Sequence, residues 1–276
     1  MSVPPVIQRD IAFEFAGVDW QHWHPGGPHV SHFFNGMSAF FPEGERFFIE
    51  SVRHYRDRLS DPSLLEDVRG FIGQEAMHGR EHRAYNAALA AAGYDTPRLE
   101  ARAVRLLDRA RRWLTRPHQL AITICLEHYT AIMAEALLSD PRVLEGADPR
   151  LTALWRWHAI EETEHKAVAF DVYRTVMPGV RGYLLRCVVM LVVTVRFWLQ
   201  TLLNHLHFLR RDGLLGDGRG WWRLLKFQLV SPGPLRRIVL PWLAWFRPGF
   251  HPWQQDNRAH VEYWKQAYTR AGSPPA

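Results

Sequence analysis

Cysteine is scarce in this chain: 276 residues contain only Cys125 and Cys187. Both lie in apolar, helical contexts, so the sequence offers neither a disulfide framework nor a Cys-x-x-Cys metal knuckle. The first ten residues also lack the basic start and apolar run of a secretory signal. We therefore expect a cytoplasmic protein, at most associated with the inner face of the membrane.

Several catalytic motifs are also missing. There is no Gly-x-Ser-x-Gly elbow for a serine nucleophile and no His-Glu-x-x-His zinc motif. The glycine-rich residues 213–220 miss both phosphate-loop patterns and predict a flexible turn. Strand-like alternation is absent, whereas the helical period recurs along the chain. With 47% hydrophobic residues, the chain is expected to be globular and all-α.

Proline, glycine and capping residues divide the chain into three parts. Residues 1–38 predict an irregular arm, and its histidines at positions 22, 24, 29 and 32 are expected to be structural. Residues 39–179 predict a bundle with helices over residues 41–59, 62–92, 117–138 and 149–177, and a connecting helix over 99–115. Residues 180–276 predict a helical extension rich in Trp and Arg.

The extension is far more basic than the rest of the chain. Residues 1–180 carry 20 Lys and Arg against 24 Asp and Glu, a net charge of −4, whereas residues 181–276 carry 14 against 4, a net charge of +10. The extension also holds seven of the 12 tryptophans. Basic residues interleaved with Trp favour an anionic membrane surface. Simple packing on the acidic bundle is the alternative, and nucleic acid is the least favoured partner.

An apolar stretch in the extension, residues 183–203, is nearly as long as a membrane span. Arg186 and Arg196 lie within it. A central arginine costs roughly 2.5–3.5 kcal/mol on insertion scales. The stretch therefore favours a helix packed on the bundle or lying in the membrane interface over a true span.

The strongest positive signal is a set of acidic residues and histidines on four predicted helices. In chain order they are Glu45, then Glu75 with His78, then Glu127, then Glu162 with His165. Residues i and i+3 share a helical face, so each Glu-x-x-His pair can bind one metal. One Glu from each of two helices and one Glu-x-x-His from each of the other two is the ligand set of two-metal carboxylate bundles.

The helical faces of these glutamates strengthen the assignment, because two Glu-x-x-His motifs alone are close to chance. Glu45 shares its face with Phe48 and Val52, and Glu127 shares its face with Ile124 and Ala131. A buried, unpaired carboxylate is costly, and two metal ions would compensate for it. Buried salt bridges with Lys or Arg are the alternative.

Other polar residues flank the six predicted ligands. His82 and His158 can be extra ligands, donors that orient a carboxylate, or ordinary polar residues of the core. Glu161 and Glu164 are expected to face solvent or an arginine.

Three segments resemble the bacterial family described as "predicted metal-dependent hydrolase". They are residues 41–48 (Phe-Pro-Glu-Gly-Glu-Arg-Phe-Phe), 74–82 (Gln-Glu-Ala-Met-His-Gly-Arg-Glu-His) and 161–166 (Glu-Glu-Thr-Glu-His-Lys). The resemblance runs from about Trp23 to Trp264 and implies a metal enzyme. Separately, the ligand order looks like the ferritin-like diiron superfamily, which includes oxygenases, desaturases, oxidases and iron stores. We therefore expect a ferritin-like four-helix bundle with a C-terminal apolar and basic helical extension.

Carboxylates with two imidazoles suit two iron ions, with manganese or zinc as alternatives. The primary hypothesis is an oxygen-dependent oxidase or oxygenase that acts on a small apolar or lipid-like substrate and needs an electron donor. The alternative is a hydrolase in which two metals activate water. The third hypothesis is a metal-binding protein without enzymatic activity. The pattern leaves the oligomeric state open.

Overall fold

The computed structural model describes residues 5–270, and all regular secondary structure in that range is helical. The predicted all-α fold is therefore confirmed. The helices are α1 (Pro28–Ser38), α2 (Phe41–Arg53), α3 (Pro62–Ala91), α4 (Thr96–Trp113), α5 (Arg116–Leu138), α6 (Pro149–His165), α7 (Val168–Val176), α8 (Gly179–Arg211), α9 (Gly218–Leu225), α10 (Pro234–Ala244) and α11 (Arg258–Arg270).

Aspartate caps followed by proline set the starts of several helices. The side chains of Asp61 and Asp148 accept hydrogen bonds from backbone N–H groups two residues later, at the starts of α3 and α6. The predicted ends hold less well. Helix α2 ends at Arg53 and is followed by a short 3-10 turn, and the predicted fourth helix is divided between α6 and α7.

The prediction of an irregular arm up to residue 38 is wrong for its last third, because residues 28–38 form α1. Gly27, with a φ of 89°, turns the chain, and Pro28 then begins the helix. Val30, Phe34 and Met37 follow at helical spacing and are buried. The Gly and Pro content upstream therefore marks the start of a helix rather than its absence.

Four helices form a ring around the centre of the protein. Helix α2 packs against α3 and α5, and α6 packs against the same two helices. Each of the four therefore turns one face towards the others, and these are the helices that carry the predicted ligands. Helix α4 crosses α2 and α3 on the outside of the ring. That this ring is a ferritin-like bundle stays a prediction.

The C-terminal extension packs on the ring through α8 and α10, both of which contact α5. Arg186 of α8 is buried, and its guanidinium donates hydrogen bonds to the backbone carbonyls of Trp245 and Arg247 and stacks on the Trp245 ring. These partners compensate for a charge within an apolar helix.

Helices α5 and α8 are both long and apolar enough to cross a membrane. The apolar window of α5 is 72% buried inside the protein, as in a core helix, whereas that of α8 is only 33% buried. Nine aliphatic side chains of α8 are exposed: Val180, Leu184, Val188, Leu191, Val192, Val195, Leu199, Leu202 and Leu203. We call them the α8 apolar face; contact with a membrane stays a prediction.

Candidate metal centre

All six predicted ligands lie together inside the ring, and His82 and His158 join them. Helix α2 contributes Glu45, α5 contributes Glu127, and α3 and α6 contribute the other six residues. None of the eight residues is more than 5% exposed. Their convergence follows from helical spacing, since residues three, four and seven apart share the face that each helix turns to the ring.

His165 lies in one half of the centre. Its Nε2 is 3.1 Å from Oε1 of Glu75, 3.4 Å from Oε2 of Glu127 and 3.4 Å from Oε2 of Glu162. Three carboxylates and one imidazole nitrogen, supplied by three helices, thus face one point. This is a donor set that iron or manganese accepts.

The other half contains two further histidines. Nε2 of His158 is 3.0 Å from Oε1 of Glu162, and Nδ1 of His78 is 3.7 Å from the same oxygen. Glu45, Glu75 and His78 also offer ligand atoms that all lie within 4.8 Å of one another. Glu75 and Glu162 therefore face both halves, which is where bridging carboxylates would lie between two metals. The assignment of individual ligands stays a prediction.

The polar atoms of this centre need partners that the described residues do not supply. Both oxygens of Glu45, Glu75 and Glu127, both nitrogens of His78, and Nε2 of His165 are buried without a hydrogen-bond partner among the described residues. Leaving so many buried acceptors unsatisfied would be strongly destabilising. Two divalent cations would coordinate them and balance four carboxylates, so the residues fit a two-metal centre.

The pKa values of the carboxylates report the same need for positive charge. Burial, together with the neighbouring glutamates, raises the pKa of Glu45 and of Glu127 well above the ordinary value. Burial opposes a charge on His165, yet the facing carboxylates raise the pKa of this imidazole well above its usual range. Both shifts reflect an excess of buried negative charge in the centre.

A chain of hydrogen bonds determines which nitrogen of His158 faces the centre. Asn86 donates through Nδ2 to the carbonyl of Ser38, so its Oδ1 accepts from the Ser38 hydroxyl, 2.9 Å away. The hydroxyl oxygen is then free to accept from Nδ1 of His82, and Nε2 of His82 accepts from Nδ1 of His158, both at 2.9 Å. Nε2 of His158 is left with a bare lone pair beside Glu162. This geometry fits His158 as a metal ligand with His82 behind it, and that assignment stays a prediction.

Glu161 and Glu164 are buried and face an arginine, the second of the two environments expected for them. Arg9, from the N-terminal segment, lies 2.9 Å from Glu161 and 2.7 Å from Glu164. Burial raises the pKa of Glu161 to about 8 even so, and its Oε2 is 3.2 Å from Nε2 of His78. Glu161 is therefore a further candidate ligand or proton acceptor. The run of three glutamates at 161, 162 and 164 was its only sequence signal.

Two residues of α3 adjust the centre without being ligands. Oε1 of Gln74 lies 2.9 Å from Nδ1 of His165, which leaves Nε2 directed at the carboxylates. Gly79 leaves room for α2, because a Cβ at this position would lie 3.1 Å from Oε2 of Glu45. The close approach of Glu45 to α3 therefore depends on this glycine.

An apolar cavity of about 580 Å³ reaches the centre. Its inner end is lined by Glu45, His158 and Glu162, and its outer part runs between α4 and α8 past Val188 and Val192, which are exposed. Most of its remaining lining is aliphatic or aromatic, and the polar exceptions are Arg109, His118, Thr130, Arg196 and Gln200. A volume in this range is typical of sites for small ligands.

Comparison with known proteins supports the metal centre and bears on the reaction. No curated protein and no solved structure matches the chain. Residues 7–256 match the family model described as "Predicted metal-dependent hydrolase". Of the two reactions predicted from the sequence, this description favours hydrolysis, the alternative. Because the match covers nearly the whole chain, the protein belongs to the predicted metal-dependent hydrolase family.

Proposed function

We propose that this protein is an enzyme with two metal ions, most simply iron, that oxidises an apolar substrate with dioxygen. The observation that carries the proposal is the convergence of four glutamates and two histidines, as two Glu-x-x-His pairs and two single glutamates, on one buried centre. This donor set from four helices is that of di-iron and di-manganese carboxylate proteins.

In this proposal the side chains of the protein bind the metal ions and the substrate, hold them in position and keep water out of the centre. Glu45, Glu75, Glu127 and Glu162 hold the ions and balance their charge, while His78, His158 and His165 supply nitrogen ligands. The apolar lining of the cavity binds the substrate and keeps bulk water from the centre. Two bound irons would supply the redox chemistry with dioxygen, and a separate electron donor would restore them after each turnover.

The test is metal analysis followed by an oxygen reaction. Protein loaded anaerobically with ferrous iron should hold about two ions per chain. Mixing with oxygenated buffer should then produce a rapid optical change, and Mössbauer spectra should show two coupled irons. A Glu162→Ala variant, which lacks the shared carboxylate, should lose the coupled signal. Iron that binds but does not respond to oxygen would overturn the oxidative proposal.

Hydrolysis is the second candidate, because the family description favours it. The same centre, loaded with zinc or manganese, would lower the pKa of a bound water, and the cavity would hold the apolar part of an ester. Turnover of long-chain p-nitrophenyl esters under strict anaerobiosis, lost in the Glu162→Ala variant, would support hydrolysis and exclude a requirement for dioxygen.

A further inference from the structure

Four arginines lie together at the outer end of the apolar cavity. Arg102, Arg105 and Arg109 occupy one face of α4 at spacings of three and four residues, and Arg196 lies across from them on α8. All four line a smaller cavity of about 150 Å³. It shares Arg109 and Arg196 with the large cavity, so the two adjoin.

These arginines have no acidic partner in the described part of the chain. None of the four guanidinium groups forms an ion pair with a carboxylate among residues 5–264, and no acidic residue lines the smaller cavity. Arg111, near the end of α4, differs from them, because it forms ion pairs with Glu43, Glu50 and Asp108. Four neighbouring cations without a counter-ion repel one another, and a bound anion would relieve that repulsion.

A buried nitrogen makes the need for a ligand specific. Nη1 of Arg102 is shielded from solvent and has no hydrogen-bond partner in the described part of the chain. A buried guanidinium N–H without an acceptor is costly. Guanidinium groups match phosphate and carboxylate oxygens in geometry and charge, often with two parallel hydrogen bonds.

We propose that Arg102, Arg105, Arg109 and Arg196 bind the anionic headgroup of an amphiphilic substrate, a phosphate or a carboxylate, while its apolar chain fills the large cavity towards the metals. The proposal rests on the proposed function for its direction, because the inner end of the cavity is the metal centre. It adds the substrate class: a long aliphatic or isoprenoid chain with one anionic end. Headgroup and metals then lie at opposite ends of the cavity, so the reaction takes place on the chain, away from the charge.

Binding experiments test this without any turnover. The probes are dodecyl phosphate, dodecanoate, dodecanol and inorganic phosphate, measured by calorimetry on zinc-loaded protein below their micellar concentrations. Dodecyl phosphate or dodecanoate should bind at least about tenfold more tightly than either dodecanol or inorganic phosphate. Dodecanol lacks the anionic headgroup, and inorganic phosphate lacks the aliphatic chain. Equal binding of an anionic probe and dodecanol would overturn the headgroup site. If inorganic phosphate bound as tightly as dodecyl phosphate, the proposal of an amphiphilic substrate would be overturned.

Matched variants distinguish a specific anion-binding site from non-specific electrostatic attraction to a basic protein. The double change Arg105→Gln and Arg109→Gln alters two exposed residues. It should weaken the binding of the anionic probe by about tenfold or more and leave the binding of dodecanol unchanged. The control, Arg219→Gln with Arg223→Gln on α9, removes the same charge from exposed positions that line neither cavity. Equal losses in both variants would show attraction to net charge alone and overturn the proposal.

The orientation of the probe gives a second readout. With manganese in place of zinc, the terminal methyl of dodecyl phosphate should show much stronger paramagnetic relaxation than its first methylene. The reverse order would overturn the direction of binding. These binding measurements do not depend on the oxygen assay, so they remain valid if that assay fails. Loss of probe binding in a protein that still reacts normally with oxygen would reject the headgroup site alone.

Discussion

Nε2 of His82 lies 2.9 Å from Nδ1 of His158, and this contact leaves the other nitrogen of His158 facing Glu162. Replacing His82 by phenylalanine removes the acceptor that orients His158. We expect the affinity for one of the two metals to fall by about 10–100-fold, the usual effect of losing such a partner. Competition with a chelator would measure it.

The control for that change is His205→Phe, which alters a buried histidine outside the centre. It should leave both metal affinities within about twofold, because His205 contacts His29 and Trp221 rather than any ligand. If the His82 variant also binds both metals normally, His158 is not oriented by His82.

Gly79 determines how closely Glu45 approaches α3. In a Gly79→Ala variant the new Cβ would lie 3.1 Å from Oε2 of Glu45, so the carboxylate must move. We expect the metal content to fall from about two ions to about one per chain, because the other half of the centre does not use Glu45. Elemental analysis after gel filtration measures the ratio.

Gly44→Ala is the matched control, since its Cβ would meet only Phe48, at 3.9 Å, an ordinary contact. Both changes favour the helical state by up to about 1 kcal/mol. A lower metal content in both variants would mean that helix stability, rather than the position of Glu45, governs metal binding.

Arg9 stabilises the fold by neutralising buried carboxylates. Arg9→Met leaves Glu161 and Glu164 buried without their cation. We expect a loss of roughly 2–4 kcal/mol in the free energy of unfolding, measured by urea denaturation. Arg46→Met is the comparison: Arg46 is half exposed, and its partner Glu43 keeps Arg111, so the loss should stay below about 1 kcal/mol. Equal losses would contradict the role of Arg9.

Acid should destabilise the protein through His205. Burial lowers the pKa of this imidazole from 6.5 to about 4. Between these values the unfolded chain binds a proton that the folded chain does not, so stability falls as the pH drops through this window. Over the whole window, His205 contributes a loss of roughly 3 kcal/mol.

The measurement compares unfolding of the wild type and His205→Phe at several pH values. The variant should lose less stability on acidification from pH 6.5 to 4, although His29 and His32, whose pKa values burial also lowers, keep part of the slope. Parallel curves for the two proteins would show that His205 is already able to bind a proton in the folded state.

The ligands could be predicted from sequence because helical spacing is local. Glu75 and His78 share a face whatever the rest of the chain does, and apolar neighbours direct that face inwards. Arg9 could not be predicted, since it meets its partners across more than 150 residues and no local pattern encodes such a contact. Which of His82 and His158 faces the centre likewise could not be predicted, because it depends on hydrogen bonds of Ser38 and Asn86. These two residues lie in other helical turns.

The α8 apolar face has a practical consequence. Nine exposed aliphatic side chains on one helix form a surface that water does not favour, and such surfaces associate with whatever apolar material is present. The apparent size of the protein on a gel-filtration column should therefore depend on detergent: larger and concentration-dependent without it, constant once the face is covered. Measurements on protein purified without detergent would therefore reflect association through the α8 apolar face rather than the properties of the metal centre.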